Sequence, residues 1–271
     1  MPNLIRILSA LYLTLFTALP SAAHEFWIDP HDFSIAVDDP LIADLRVGQS
    51  FAGSTLSYIE RNFTRFDLAI GDTVTPVDGR LGDKPAIQIA THAEGLAIII
   101  HETSNSFLTY DDWDRFVGFV EHKDFPDVLD RHIARGLPQT GFSEFYSRHV
   151  KSLIAIGDGA GQDRAFGLRT EFVALANPYT DDLGAGFPVQ LLLDGAPRAD
   201  VQVELWDRTA TGVVTVTIHR TDANGQAVLP VTPGHTYMVD AVTMQEIEPE
   251  TPRNAVWQSL WASLTFEVPD R

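Results

Sequence analysis

Val201-Gln202-Val203-Glu204-Leu205-Trp206-Asp207 alternates strictly, with Val201, Val203 and Leu205 on one face of an extended chain and Gln202, Glu204 and Trp206 on the other. The same strand signal recurs on both sides of it, in Pro188–Leu193, Val213–Arg220, Ala227–Leu229, Thr236–Val242 and Leu260–Val268. Turn residues separate the runs: Asp194-Gly195, then Asp222-Ala223-Asn224-Gly225, whose Asn-Gly pair reads as a hairpin turn. About seven short strands at this spacing predict an antiparallel sandwich over 187–271.

Upstream of Asn177-Pro178-Tyr179 and Asp181-Asp182-Leu183-Gly184-Ala185-Gly186 the texture is mixed. Glu25–Ile28, Leu41–Val47, Phe66–Ile70, Ala86–Ile89 and Leu96–His101 are strand candidates between Gly, Pro and Asp clusters. Trp113, Phe116, Val117, Val120, Val128, Leu129 and Ile133 instead recur at helical spacing, with Asp111 or Asp112 as a cap and Pro126 opening a second helix. A further helical piece is read at Ser143–Leu153. The chain is therefore expected to be mainly β, with two β-sandwich domains, 24–176 and 187–271, joined by a linker at 177–186. The first sandwich carries a helical insertion around 110–153.

Met1–Ala23 reads as a secretory leader: Arg6, the apolar stretch Ile7–Leu19, then Pro20-Ser21-Ala22-Ala23. Cleavage after Ala23 puts small residues at both recognition positions and makes His24 the new N-terminus. The apolar stretch falls short of the roughly 20 residues that span a bilayer, and no later segment reaches that length. The expected location is the periplasm or the medium, with no transmembrane span after cleavage. A formal charge of −18 disfavours nucleic acid and anionic lipid as partners. With no cysteine, neither disulfides nor thiolate metal sites are available.

A terminal His24 offers its α-amine and imidazole as one chelate, with ordinary pKa values near ~7.7 and ~6.5, so proton competition at neutral pH is modest. Nitrogen donors without thiolate suit divalent Ni, Co, Cu or Zn. The plain alternative is an exposed terminus ahead of a strand. His101 ends an apolar run, where a ligand would be held rigidly, or where a core histidine would sit. His122, at a helix end, is either a third ligand or a complement to the helix dipole. Cleavage after Ala22 would put Pro20 at the −3 position, and a chain starting at Ala22 would instead carry an amine-x-histidine motif, Ala22-Ala23-His24. His132 and His149, read as helical, adjoin Arg131 and Arg148, while His31 reads as part of a turn. The Gly157–Asp163 loop lacks the ligand spacing of a calcium loop and reads as a connection. There is no Gly-x-Ser-x-Gly elbow and no thiol nucleophile, so no enzymatic activity is assigned. The aromatics fall at packing positions.

Four segments carry a family resemblance. These are His24-Glu25-Phe26-Trp27-Ile28-Asp29-Pro30, the block Glu144, Tyr146-Ser147-Arg148 and Lys151, the junction Glu171 with Asn177-Pro178-Tyr179, and Trp257 with Leu260-Trp261-Ala262-Ser263-Leu264-Thr265-Phe266. Together they resemble domain-of-unknown-function family 4198. That resemblance implies a periplasmic component of a nickel or cobalt uptake system, with a membrane metal transporter as partner. Asp194-Gly195-Ala196-Pro197 and Thr221-Asp222-Ala223-Asn224-Gly225 resemble the turns of transthyretin-like and carboxypeptidase-regulatory-like sandwiches, implying immunoglobulin- or transthyretin-like domains. The competing expectation is a non-catalytic envelope interaction module that binds a partner by strand addition, without metal.

Overall fold

The computed structural model describes residues 24–250 and 255–270; the leader reading falls outside them. Among the described residues the chain forms eighteen strands and two α-helices. The first strands are β1 (Glu25–Pro30), β2 (Ser34–Ile35), β3 (Pro40–Gln49) and β4 (Ala52–Leu56), followed by β5 (Phe63–Ile70), β6 (Thr73–Pro76), β7 (Ile87–Ala90), β8 (Gly95–Thr103) and β9 (Ser106–Tyr110). Helices α1 (Trp113–His122) and α2 (Val128–Ala134) come next, then β10 (Phe142–Ile156), β11 (Thr170–Ala174), β12 (Phe187–Leu193) and β13 (Ala196–Pro197). The chain closes with β14 (Gln202–Arg208), β15 (Val214–Arg220), β16 (Gln226–Leu229), β17 (His235–Glu250) and β18 (Ala255–Val268).

The architecture is three-layered. A large sheet, ordered β15-β14-β17-β18-β10-β8-β5-β6 with β2 and β9 on β10, forms the middle. Strands β11, β12, β13 and β16 cover one face. There Leu96, Ile98, Leu153, Val203, Leu205, Leu264 and Phe266 meet Phe172, Phe187, Val189 and Leu191. The sheet of β1, β3, β4 and β7 covers part of the other face, where Phe26, Ile28, Leu41 and Leu45 meet Phe66, Ala97, Ile99, Val150 and Ile154. The helices cover the rest of that face, packing Phe116, Phe119 and Val128 on Trp257 and Trp261.

The helical insertion is real but shorter than expected. It ends at Ala134, and Ser143–Leu153 lies within strand β10. Asp112 caps α1 as expected, accepting from the Asp114 amide at 3.0 Å, while Pro126 stands just before the cap of α2. The reason for the misreading lies in packing. β10 is hydrogen-bonded on both edges and covered on both faces, so it shows no period of two. Its even positions, Glu144, Tyr146 and Arg148, face the same side as Val150 and Ile154, and its odd positions, including Lys151, face the same side as Leu153. Helical spacing in that stretch is accidental.

Two further differences concern connections. β10 runs parallel to β18, so hydrogen bonds of the central sheet cross the stretch 177–186 that was read as a linker. Within that stretch, buried Asn177 donates to the carbonyls of Gly159 and Gly161. The Asp222–Gly225 turn forms, with Gly225 at φ 70° donating to the Asp222 carbonyl. It does not close a hairpin: β15 pairs with β14 and β16 with β12, so this turn carries the chain from one layer to another.

Candidate functional site: two buried cations and an adjoining cavity

Strand β1 is the hinge of the site. It lies against β10 and β18, with its Phe26 and Ile28 carbonyls accepting hydrogen bonds from Ser263 (2.9 Å) and Thr265 (2.8 Å). Alternation along β1 then sends Phe26 and Ile28 one way and Glu25, Trp27 and Asp29 the other. On the second side a charge cluster forms. β14 and β17 place Glu204 directly opposite Asp240, a like-charge pair that would be unfavourable alone. Lys123, leaving the C-terminus of α1, enters between them, its Nζ 2.9 Å from Glu204, 3.1 Å from Asp240 and 3.7 Å from Glu25. All four side chains are buried. Burial alone would lower the Lys123 pKa, but Asp240, Glu204 and Glu25 outweigh it and hold the amine well above its ordinary value. Three carboxylates exceed one ammonium, and Glu25 registers the excess. Burial, opposed by Lys123, raises its pKa to about 7.

Arg148 shares Trp261 with Lys123. Its guanidinium stacks on that indole, with Cζ 3.9 Å from the ring centroid, while Lys123 Nζ lies 5.0 Å from the same ring. One nitrogen, Nη2, donates to the His24 carbonyl at 2.6 Å; Nη1 is buried without an acceptor. Trp261 Nε1 donates to Ser259, which donates to Glu144, and Tyr110 donates to the same carboxyl. Burial raises the Glu144 pKa to about 7.

Arg148 also lines a cavity of about 660 Å³ between the β1 sheet and the central sheet. Phe26, Phe63, Leu45 and Val47 make its apolar wall, and Asn62, Ser104, Asn105 and Tyr146 add polar groups. His101 lines it too. Phe26, Phe63 and Phe66 surround that imidazole at centroid distances of 5.6, 5.3 and 4.5 Å, and its Nδ1 has no partner. Burial lowers its pKa to about 3, so the ring is neutral.

The three histidines read as ligands therefore occupy different settings. His24 is exposed, with its carbonyl fixed by Arg148. His101 is enclosed by phenylalanines. His122 lies on the Lys123 side, half-exposed, with Nε2 3.3 Å from Glu204. Among the described residues no group of three or more His, Asp or Glu side chains is arranged to hold a metal ion. His149 is a strand residue beside Ser147, and His132 accepts from Trp257 Nε1 at 3.0 Å. Asp163, in the loop tested for calcium, is committed to Lys151 at 2.7 Å. Sequence reading passed over Lys123, Glu204 and Asp240. Glu204 carried a usable signal, a charged residue sharing a strand face with Trp206.

The family model for "Domain of unknown function (DUF4198)" matches residues 21–245. The chain belongs to the DUF4198 family. No curated protein matches it. A similar solved structure is the D0-D1 domain of Intimin, 11% identical, covering 89% of this chain and 97% of that one at a TM-score of 0.22, a score too low to bear on function. The DUF4198 match takes in β1, α1, β10, β14 and Asp240, but not β18, which supplies Ser259, Trp261, Ser263 and Thr265. No helix among the described residues is long and apolar enough to cross a membrane.

Proposed function

We propose that this DUF4198 protein is an exported, non-catalytic metal-binding protein that offers the amine and imidazole of a processed His24 to a divalent Ni, Co, Cu or Zn ion. The observation that carries this reading is the 2.6 Å bond from buried Arg148 to the His24 carbonyl, immediately before a strand whose first four residues are buried. A terminus anchored at that residue presents its donors from a fixed backbone, which lowers the ordering cost of chelation. The fit is confined to His24. Phenylalanine rings occupy the space around His101, and Glu204 beside His122 is already neutralised by Lys123. The remaining coordination positions are open to water, a small ligand or a metal transporter in the envelope.

The test combines intact mass of the exported protein with titration by Cu(II) and Ni(II). A chain starting at His24 that binds one equivalent, and loses binding in His24→Ala or when one residue precedes His24, is the expected result. Equal affinity with and without the added residue would rule out amine ligation.

A second reading, an envelope interaction module, has its own observation. β15 is an edge strand paired only with β14 among the described residues, and it exposes Val216 and Ile218. Unpaired β-branched edges accept added strands. Under this reading Ile218→Lys abolishes partner capture and leaves metal titration unchanged.

A further inference from the structure

We infer that the cavity beside Arg148 is a binding site for a small organic carboxylate with an apolar body. The chain holds 37 acidic and 19 basic residues, yet the lining of this cavity includes Arg61 and Arg148 and no Asp or Glu among the described residues. The charged side chains of its lining are therefore positive only.

Arg148 supplies the specific anchor. It is more than nine-tenths buried yet lines the cavity, and no carboxylate forms an ion pair with its guanidinium among the described residues. Lys123, by contrast, has three carboxylates within 4 Å. Stacking on Trp261 fixes the guanidinium plane, which suits a planar carboxylate better than a spherical ion. Phe26, Phe63, Leu45 and Val47 would cover an apolar body, and the cavity volume falls within the ordinary range for small-molecule sites, roughly 300–1,000 Å³. His101, also in the lining, is neutral and adds no charge. The site shares Arg148 with the His24 contact but needs no bound metal.

The experiment is calorimetric titration of the mature protein with 4-phenylbutyrate and with its uncharged amide at pH 7. The acid is expected to bind at least about tenfold more tightly than the amide. Arg148→Gln should reduce the acid to the level of the amide, with near-ultraviolet circular dichroism checking that the variant is folded. Leu56→Trp, at the exposed rim, should block both ligands without touching the charge network. Equal binding of acid and amide, undiminished binding in Leu56→Trp, or no binding of the acid at millimolar concentration would overturn the inference. Loss of metal binding in His24→Ala with carboxylate binding intact keeps the two sites apart.

Discussion

Lys123 and Arg148 are buried cations that share one indole, Trp261, and they are provided for in opposite ways. Lys123 meets three carboxylates within 4 Å; Arg148 meets a carbonyl and two aromatic faces, those of Trp261 and Tyr146. A buried charge is costly to remove from its partners and costly to leave without them. The first arrangement spends its charge on joining α1, β1, β14 and β17. The second leaves one guanidinium nitrogen, Nη1, without a protein acceptor. Proximity to Trp261 thus does not make the two cations equivalent, and the difference separates a structural cluster from a recognition site.

The largest expected effect comes from breaking the first half of that contrast. Lys123→Ala leaves Glu25, Glu204 and Asp240 buried without a counter-charge and should cost about 3–5 kcal/mol in urea unfolding at pH 7. A loss no greater than that of Arg148→Ala would erase the distinction.

Next is the acid beside Arg148. The Glu144 pKa is raised from its ordinary 4.5 to about 7, so the folded state holds a proton that the unfolded state has released. Stability therefore falls as pH rises from about 4.5 through about 7, and Glu25 contributes a limb of the same sign. Glu144→Gln removes one limb, so the variant should gain on the wild type by up to about 3 kcal/mol across that window. The measurement is unfolding free energy against pH, and a constant difference would show that Glu144 stays ionised.

Arg148→Ala should cost about 2 kcal/mol through loss of the stacked cation and its bond to His24. It should also speed amide exchange at Glu25 and Phe26, the start of β1. Unchanged exchange there would mean that Arg148 does not fix the terminus.

Smallest is His122→Gln, at a half-exposed contact with Glu204, which should change stability by no more than about 0.5 kcal/mol and leave Cu(II) binding unaltered. A lost equivalent of metal would return His122 to the ligand set.

Legibility in the sequence followed how apolar the buried positions of a strand are. β14 was readable because Val203 and Leu205 alternate against Glu204 and Trp206. β8 was readable from its apolar run, Leu96–Ile100, which packs alternately into two cores. β10 was not, because seven polar or charged residues, Ser143, Glu144, Ser147, Arg148, His149, Lys151 and Ser152, are buried among remote partners. The same limit hid the site. Nothing local marks Lys123, because its partners Glu204 and Asp240 lie 81 and 117 residues away in sequence.

By itself the sequence determined the β class, most strand positions, the two helices of the insertion, the family and His24 as a candidate chelate, because alternation, helical spacing and motifs are local properties. Only the tertiary structure decided that β10 is a strand, that His101 and His122 lie apart in different surroundings, and that Arg148 borders a cavity without carboxylates. Those facts depend on which distant side chains share a buried space, and burial makes charge, hydrogen bonding and pKa depend on neighbours that no local pattern names.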